Sequence, residues 1–367
     1  MLLSGRRIAD LVGFCDVYEF EDTIASVTDA TRVDARNLSS IEYSRRAYKL
    51  ARLALGSPRL ASVVAPYPRE SVVLEEDFDL FFPAFNHVHQ LYSLATIRNW
   101  RQRCAKAACF ISELRDVVLP RYLIELLADF DHIFLATRSG VANVAAMTGR
   151  PCTHLPLAVD VLRFAPGSTD DERPIDVCYI GRRSEVTHRA LLRETERKQF
   201  FYYYDTVAAS GADPTSRTFR VGDAAEHRRL LGALLKRSRY FIANRGYINM
   251  PEFKGRDEIA SRFYEGCAAG TVMLGEAPFT EEFRRQFDWP DVVIHLPFDS
   301  ADAGRILAEL DTDTTRLRSI QRNNVREAAI RHDWLHRIQT VFDTLGIPHT
   351  EKMGTRRKRL EQVASTI

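Results

Sequence analysis

Twice along this chain, short apolar runs alternate with stretches of helical spacing, and a single segment rich in proline, glycine and acids separates the two series. The first series begins near residue 72. "DLFFPAFN" (79–86) and "AACFISE" (107–113) read as strands, "HQLYSLATIRNWRQRC" and "LPRYLIELLADF" as the helices after them, and "DHIFLATRSG" (131–140) and "TGRPCTHLPLAVD" (148–160) continue the pattern. After "FAPGSTDDERP" (164–174) the alternation restarts with "IDVCYIG", "THRALLRETERK", "QFFYYYDT", "AAEHRRLLGALLKRS", "RYFIANRG", "TVMLGE", "DVVIHLPFD" and "SADAGRILAEL". Strands alternating with helices predict a parallel sheet covered on both faces. Two such series around one linker predict an α/β protein of two Rossmann-like αβα domains facing across a cleft. The expected division is 1–163, a linker at 164–174, 175–330, a closing segment at 331–350 and a tail at 351–367. The first 70 residues offer the amphipathic helix "SIEYSRRAYKLARLAL" but no clean opening strand with a glycine-rich turn.

At 367 residues the chain exceeds one ordinary core. Its 51 basic and 49 acidic residues leave a net charge of +2, which gives no footprint for a dedicated nucleic-acid binder. No run of about 18 apolar residues exists to span a membrane, and "MLLSGRRIADLVGF" does not read as a secretory signal. Cys15, Cys104, Cys109, Cys152, Cys178 and Cys267 form no Cys-x-x-Cys pair and sit in apolar contexts. Buried free thiols and a reducing, cytoplasmic location are therefore expected. The tail "EKMGTRRKRLEQVASTI", basic at its centre, reads as solvated or frayed, with a peripheral membrane contact as the alternative.

In open parallel sheets, ligands sit beyond the carboxyl ends of the strands. In the second series that rule selects Gly181-Arg182-Arg183, Asn244-Arg245-Gly246 and Gly275-Glu276. Arginine forks match phosphate oxygens, and glycine permits close backbone approach, so two arginine-bearing strand ends would suit a diphosphate. In the first series the rule selects Asn86, His87 and His89, with Glu113 and Ser139-Gly140 on neighbouring loops. His87 is the candidate to orient a sugar or accept a proton. His87 and His89 do not read as a metal pair, because strand alternation separates them and no third ligand has suitable spacing. No metal site is expected.

The stretch "GRDEIASRFYEGCAAGTVML" (255–274) reads as an amphipathic helix entering an apolar strand. Ile259, Phe263 and Cys267 form its buried stripe, and Glu258 and Arg262 are spaced to pair on the wet face. At about 100° per residue, Glu265 lies about 200° from Phe263 and Cys267 and points towards solvent or a cleft. Ala268-Ala269-Gly270 supplies a helix stop with a glycine free to turn left-handed.

"SRFYEGCAAGTVMLGEAPF" resembles the nucleotide-sugar site of two-domain GT-B glycosyltransferases, particularly the group sharing the group-1 C-terminal domain, CgeB-like members included. "HLPFDSADAGRILAEL" and "RHDWLHRIQTVFDTLG" are similar to later elements of that group, and the resemblance covers about residues 175–347. It implies two acids separated by seven residues. Glu265 matches the one that holds the nucleotide ribose. Asp257 matches the one near the donor sugar, with Glu258 as the competing position. It also implies a diphosphate held by basic groups, for which Gly181 and Arg182 match the first strand end. The lysine often found slightly later is absent; Arg183, Arg189, Arg245 or Lys254 would substitute, Arg245 foremost.

The resemblance thus implies a glycosyltransferase moving a sugar from a nucleotide-diphosphate sugar to an acceptor hydroxyl. The acceptor would be a glycan, lipid-linked or small molecule. The two-acid spacing favours retention of configuration. The reaction would need no metal or cofactor beyond the donor, and the closing segment would return towards the first domain. A sugar-nucleotide epimerase and a non-catalytic sugar-nucleotide or glycan-binding module are the competing readings.

Overall fold

The computed structural model describes residues 1–69, 72–114, 119–197, 199–209, 211, 213–250 and 258–367. The chain divides into two compact units, one of Met1–Asp10, Val17–Leu157 and Arg337–Lys352, the other of Leu11–Asp16, Ala158–His336 and Met353–Ile367. The crossing point at Leu157 lies a few residues before the linker expected from composition, and residues 337–352 belong with the first unit.

The first unit carries strands β1 (Leu2–Ser4), β2 (Arg32–Asp34), β3 (Val72–Val73), β4 (Phe78–Phe81), β5 (Ala84–His87), β6 (Ile97–Arg98), β7 (Cys104–Glu113), β8 (His132–Leu135) and β9 (Cys152–His154). Its helices are α1 (Cys15–Val27), α2 (Leu38–Leu55), α3 (Pro58–Val64), α4 (Arg121–Ala128) and α5 (Val141–Thr148). The main sheet runs β2-β1-β5-β7-β8-β9 with every pairing parallel, and β4 adds to β7. β4 and β5 keep one register against β7, Phe78 opposite Cys104 and His87 opposite Glu113. They are one strand interrupted at Pro83, which has no N–H to give the ladder.

Two expectations change here. The chain does open on a strand: β1 is fully buried but only three residues long, too short to show a period. The segment expected to follow β5 as a long helix is instead a 3-10 turn over Val88–Thr96 leading into β6. Seven of its nine residues are buried, so no polar face of the kind that marks an amphipathic helix remains.

The second unit has strands β10 (Ile175–Tyr179), β11 (Tyr202–Tyr204), β12 (Ser238–Ile242), β13 (Val272–Gly275) and β14 (Ile294–His295). Its sheet order is β11-β10-β12-β13-β14, again all parallel. Interleaved with and following these strands are α6 (Val161–Phe164), α7 (Glu185–Arg197), α8 (Ala224–Lys236), α9 (Ser261–Ala268), α10 (Glu281–Gln286), α11 (Ala303–Leu310) and α12 (Thr314–Arg331); α13 (Trp334–Leu345) starts in this unit and continues in the first, and most of α14 (Glu351–Thr366) belongs here. Val177, Tyr179, Tyr240, Ile242, Val272 and Leu274 of the central strands share one buried cluster with Leu191, Leu307 and Ile320 from the helices. Both units are thus doubly wound αβ folds of the Rossmann kind, each with its own core. All six cysteines are free and all but Cys152 are buried.

The basic tail is neither frayed nor wholly solvated. It forms α14, with Met353 and Leu360 buried and Arg356 donating to both Asp333 oxygens and to Asp160. Asp333 is fully buried and also accepts from the backbone N–H groups of Val161 and Leu335. The neighbouring Trp334 is fully buried, and Arg337 donates to the Pro156 and Leu157 carbonyls. The "HDWLHR" element is therefore a packing and hydrogen-bonding element within each unit.

His89 gives the first unit a pH dependence. His89 is exposed at the surface yet crowded on one side; that partial desolvation foremost, then His87 and nearby Arg45, push its imidazole down to about 4, and the open side makes the dependence shallow. The unfolded chain titrates near 6.5 and so binds more protons between those values. Stability is present above about pH 6.5 and lost as pH falls towards 4. Urea unfolding at a series of pH values should show that slope, and His89→Gln should flatten it.

Candidate functional site

The site is built where the second sheet reverses its strand order, between β10 and β12, the crevice that doubly wound folds use for ligands. A cavity of about 370 Å³ opens there, lined wholly from the second unit, within the range of small-ligand sites. Its floor is Ile180-Gly181-Arg182 after β10 and Asp205 after β11. One wall is Arg217–Phe219 with Val12 and Gly13, and the other is His227 and Arg228 of α8 facing Ser261, Arg262 and Glu265 of α9.

Gly181 has φ +73, and a Cβ there would stand 1.8 Å from Nη2 of Arg262. Only glycine lets the chain turn left-handed and lets that guanidinium lie against the backbone. The Gly181 N–H donates to the Asp205 carboxylate at 2.5 Å. α9 starts at Ser261, so its first turn, with the backbone N–H groups that a helix leaves unpaired, borders the cavity together with Arg262.

The arginines around the cavity are not equivalent. Arg182 is taken up by Asp213 and by Thr215 Oγ1 (2.6 Å). Arg183 donates to the Asp205 carbonyl at 2.7 Å and lies over the Tyr204 ring. Arg228 and Glu265 form an ion pair with both side chains almost wholly buried. Arg262 differs. Its Nε is buried without a hydrogen-bond partner, and no described residue forms a hydrogen bond or ion pair with its guanidinium. Arg217 also leaves Nε buried and unsatisfied, its Nη1 donating only to the carbonyls of Pro214 and Ser216. Two cations with open donors converge on one cavity.

Against the sequence expectations, Gly181, Arg182 and Glu265 come together here. Glu265 is not solvent-facing: 4% of it is exposed, because α8 crosses α9 and covers it with Arg228. Glu258 and Ile259 precede α9 rather than riding on it, so the expected helical pairing of Glu258 with Arg262 does not form. The Glu258 carbonyl accepts from Gly246 N–H instead. Phe263 and Cys267 are buried as expected, and Gly270 ends the helix at φ +63. Arg245 does not line the cavity. It sits beyond β12, its N–H donating to the Glu276 carbonyl and its side chain 3.9 Å from the Glu276 carboxylate. Asp257 and Lys254 lie outside the described residues.

His87 ends β5 in the first unit, partly exposed, its Nδ1 accepting from the His89 N–H at 3.3 Å. Asn86 is buried, its N–H donating to the Gln90 side chain. Among the described residues no three His, Cys, Asp or Glu side chains gather as an ion site, and no helix is long and apolar enough to cross a membrane. A second, mostly apolar cavity of about 1000 Å³ in the first unit lies at the amino ends of β4 and β7, the end of a parallel sheet that does not build ligand sites.

Sequence reasoning missed Arg217 and Arg228 and weighed Arg262 only as a surface partner. The Arg-x-x-Glu spacing of Arg262 and Glu265 carried the signal, because residues three apart share a helix face.

Residues 183–343 match a family model described as glycosyl transferase-like. The match begins beside the cavity floor and includes all of α8 and α9. No curated protein matches the chain. Three of the solved structures to which the chain is similar illustrate the likeness. A glycosyltransferase from Rickettsia africae ESF-5 shows 10% identity, TM-score 0.45, over 94% of this chain and 97% of that one. A UDP-forming α,α-trehalose-phosphate synthase from Burkholderia vietnamiensis shows 12%, 0.47, over 90% and 87%. A chain of the Gap123 glycosylation-associated complex from Streptococcus agalactiae shows 12%, 0.39, over 79% of this chain and 55% of that one. The two doubly wound units in one chain, which are the components of the GT-B architecture, rest on the strand orders above.

Proposed function

We propose that the protein is a glycosyltransferase whose donor, a nucleotide-diphosphate sugar, binds in the cavity beside α9. The observation that carries this reading is the pair of open-donor arginines, Arg262 and Arg217, at the carboxyl end of a doubly wound sheet inside a glycosyl transferase-like domain. The diphosphate would lie against both guanidinium groups and the first turn of α9, where helix-end N–H groups and fixed cations stabilise a departing anion. Glu265, oriented by Arg228, would accept from the ribose hydroxyls with the oxygen lone pairs its ion pair leaves over. Asp257 keeps its proposed place near the donor sugar, with retention of configuration. His87 would serve the acceptor hydroxyl as orienter or base.

In the reaction, the bond from the anomeric carbon to the diphosphate oxygen breaks and a bond to the acceptor oxygen forms. The acceptor's proton leaves to a base, and the nucleoside diphosphate departs with the electron pair. Because arginines and the helix end supply the positive charge, turnover should survive EDTA; activity lost to the chelator and restored by Mg²⁺ or Mn²⁺ would overturn the metal-independent assignment. A panel of UDP-, GDP-, TDP- and ADP-sugars tests the reading itself. A ligand at 100 times its Kd stabilises the fold by about 2.7 kcal/mol. Slow hydrolysis of the stabilising sugar nucleotide supports a transferase, a new sugar isomer an epimerase, and binding without turnover a binding module.

A further inference from the structure

One face of α2 gathers positive charge around a cavity of the first unit. At helical spacing Arg45, Tyr48, Lys49 and Arg52 fall within about 100° of one another. All four line a cavity of about 540 Å³. Val88 and His89, directly after β5, and Leu119 and Pro120, between β7 and α4, close its other sides. The cavity therefore stands at the carboxyl ends of β5 and β7, the end at which a parallel sheet receives ligands. Its volume suits a small molecule.

Its charges are of one sign. No carboxylate is among the described residues that line it. Glu42, outside the lining, holds Arg45 through both oxygens at 2.6 and 2.7 Å. Lys49 and Arg52 form no hydrogen bond or ion pair with any described residue, and the Arg52 guanidinium lies 5.9 Å from the centre of the Tyr48 ring. These two cations stand exposed at the mouth, whereas Tyr92 is only 3% exposed. Its ring packs edge-on against Tyr122, yet its hydroxyl has no hydrogen-bond partner among the described residues. A buried hydroxyl is nearly always paired, so an unpaired one on a cavity wall marks the place of a ligand oxygen. Burial foremost raises this phenol above its ordinary value, and Arg45 and Arg52 are close enough to oppose the rise. The hydroxyl thus keeps its proton to donate, on the cationic side of the cavity. The His89 ring is 4.4 Å from that of His87, the residue given the acceptor hydroxyl above.

We propose that the sugar acceptor carries a phosphate monoester and that this cavity holds it, the three cations and the Tyr92 hydroxyl meeting its oxygens. A phosphate presents three strong acceptor oxygens and close to two negative charges, which suits four donors better than the two oxygens of a carboxylate. Tyr48, Leu53, Val88 and Leu119 border the space left for the rest of the molecule. The acceptor role rests on the transferase reading. Binding of the ester does not, because this cavity lies wholly in the first unit and the donor cavity wholly in the second.

Calorimetry on the full chain without donor tests the binding. Inorganic phosphate and glycerol 3-phosphate should bind, and glycerol should not. Tyr92→Phe should weaken both anions roughly tenfold at an unchanged melting temperature, since the hydroxyl it removes has no described partner to lose. Lys49→Ala with Arg52→Ala should weaken them by about the same factor, and more at low salt than at high. Proton NMR should find the His89 imidazole titrating higher with phosphate bound, because the anion offsets the effect of Arg45 and Lys49, which depress it together with His87 and against Glu42. No binding of either anion at millimolar concentration overturns the proposal, as does equal binding of glycerol or anion binding that neither variant changes. With the sugar nucleotide selected by the panel above, product should form on a phosphate ester and not on its dephosphorylated parent; the reverse preference overturns the acceptor role. Failure of that panel leaves these binding results standing, and failure of the binding leaves the donor site standing.

Discussion

Arg262→Ala weakens nucleoside-diphosphate binding by about 1.5–3 kcal/mol, the value of hydrogen bonds to a charged group in a shielded site. The fold should tolerate the change, because no described residue pairs with that guanidinium and its removal strands no buried acid. Calorimetry with the diphosphate and with the free nucleoside separates the outcomes: the loss should appear with the first and vanish with the second. Gly181→Ala should reproduce the loss by another route, since a Cβ there displaces Arg262 and strains a left-handed turn. Equal affinity in wild type and Arg262→Ala would remove the diphosphate from this cavity. Glu265→Gln is the weaker probe. Sequence spacing alone marks it as harmless to the fold, but the structure gives Glu265 to Arg228, and uncoupling a buried pair costs about 3–5 kcal/mol. Its ribose preference is informative only alongside an unfolding curve.

Asp333→Ala should cost about 3–5 kcal/mol of stability. The carboxylate is fully buried, accepts from two backbone N–H groups and holds Arg356, so its loss leaves a nearly buried cation and two buried donors short of a partner. Arg356→Ala should cost less, because Asp333 keeps its backbone donors. Urea denaturation of the two variants checks the order, and equal midpoints would show that α14 contributes little to holding the second unit.

The strand–helix alternation was legible because strands buried on both faces show unbroken apolar runs: β13 is apolar throughout, and β7, β10 and β12 carry Ala107–Ile111, Val177–Tyr179 and Tyr240–Ile242. β1 was not, since three residues cannot display a period. The start of α9 was misplaced because Ile259 continues the spacing of Phe263 and Cys267 although the helix begins at Ser261. Site residues on strand ends, such as Gly181 and Arg182, follow from topology alone. Arg228 does not, because the contact of α8 with α9 joins residues 37 positions apart and no local pattern records it, and Arg217 sits on a loop with no strand or helix period to mark it.

Arg173, the penultimate residue of the segment that leads into β10, is buried and donates to the carbonyls of Leu235, Ser238 and Ala269. It is thereby fastened to the end of α8, the start of β12 and the end of α9. Burial pushes its guanidinium down to about 10, still a cation at neutral pH. The two ends of α9 are thus unlike in duty. Its first turn carries an arginine with open donors, while its last is anchored by an arginine whose partners are all main chain. A helix pinned at its far end can admit a ligand at its near end only by adjusting side chains, not by sliding along its axis. Amide exchange should find the Ala268–Gly270 turn among the slowest in the second unit, and just as slow with the cavity filled as with it empty.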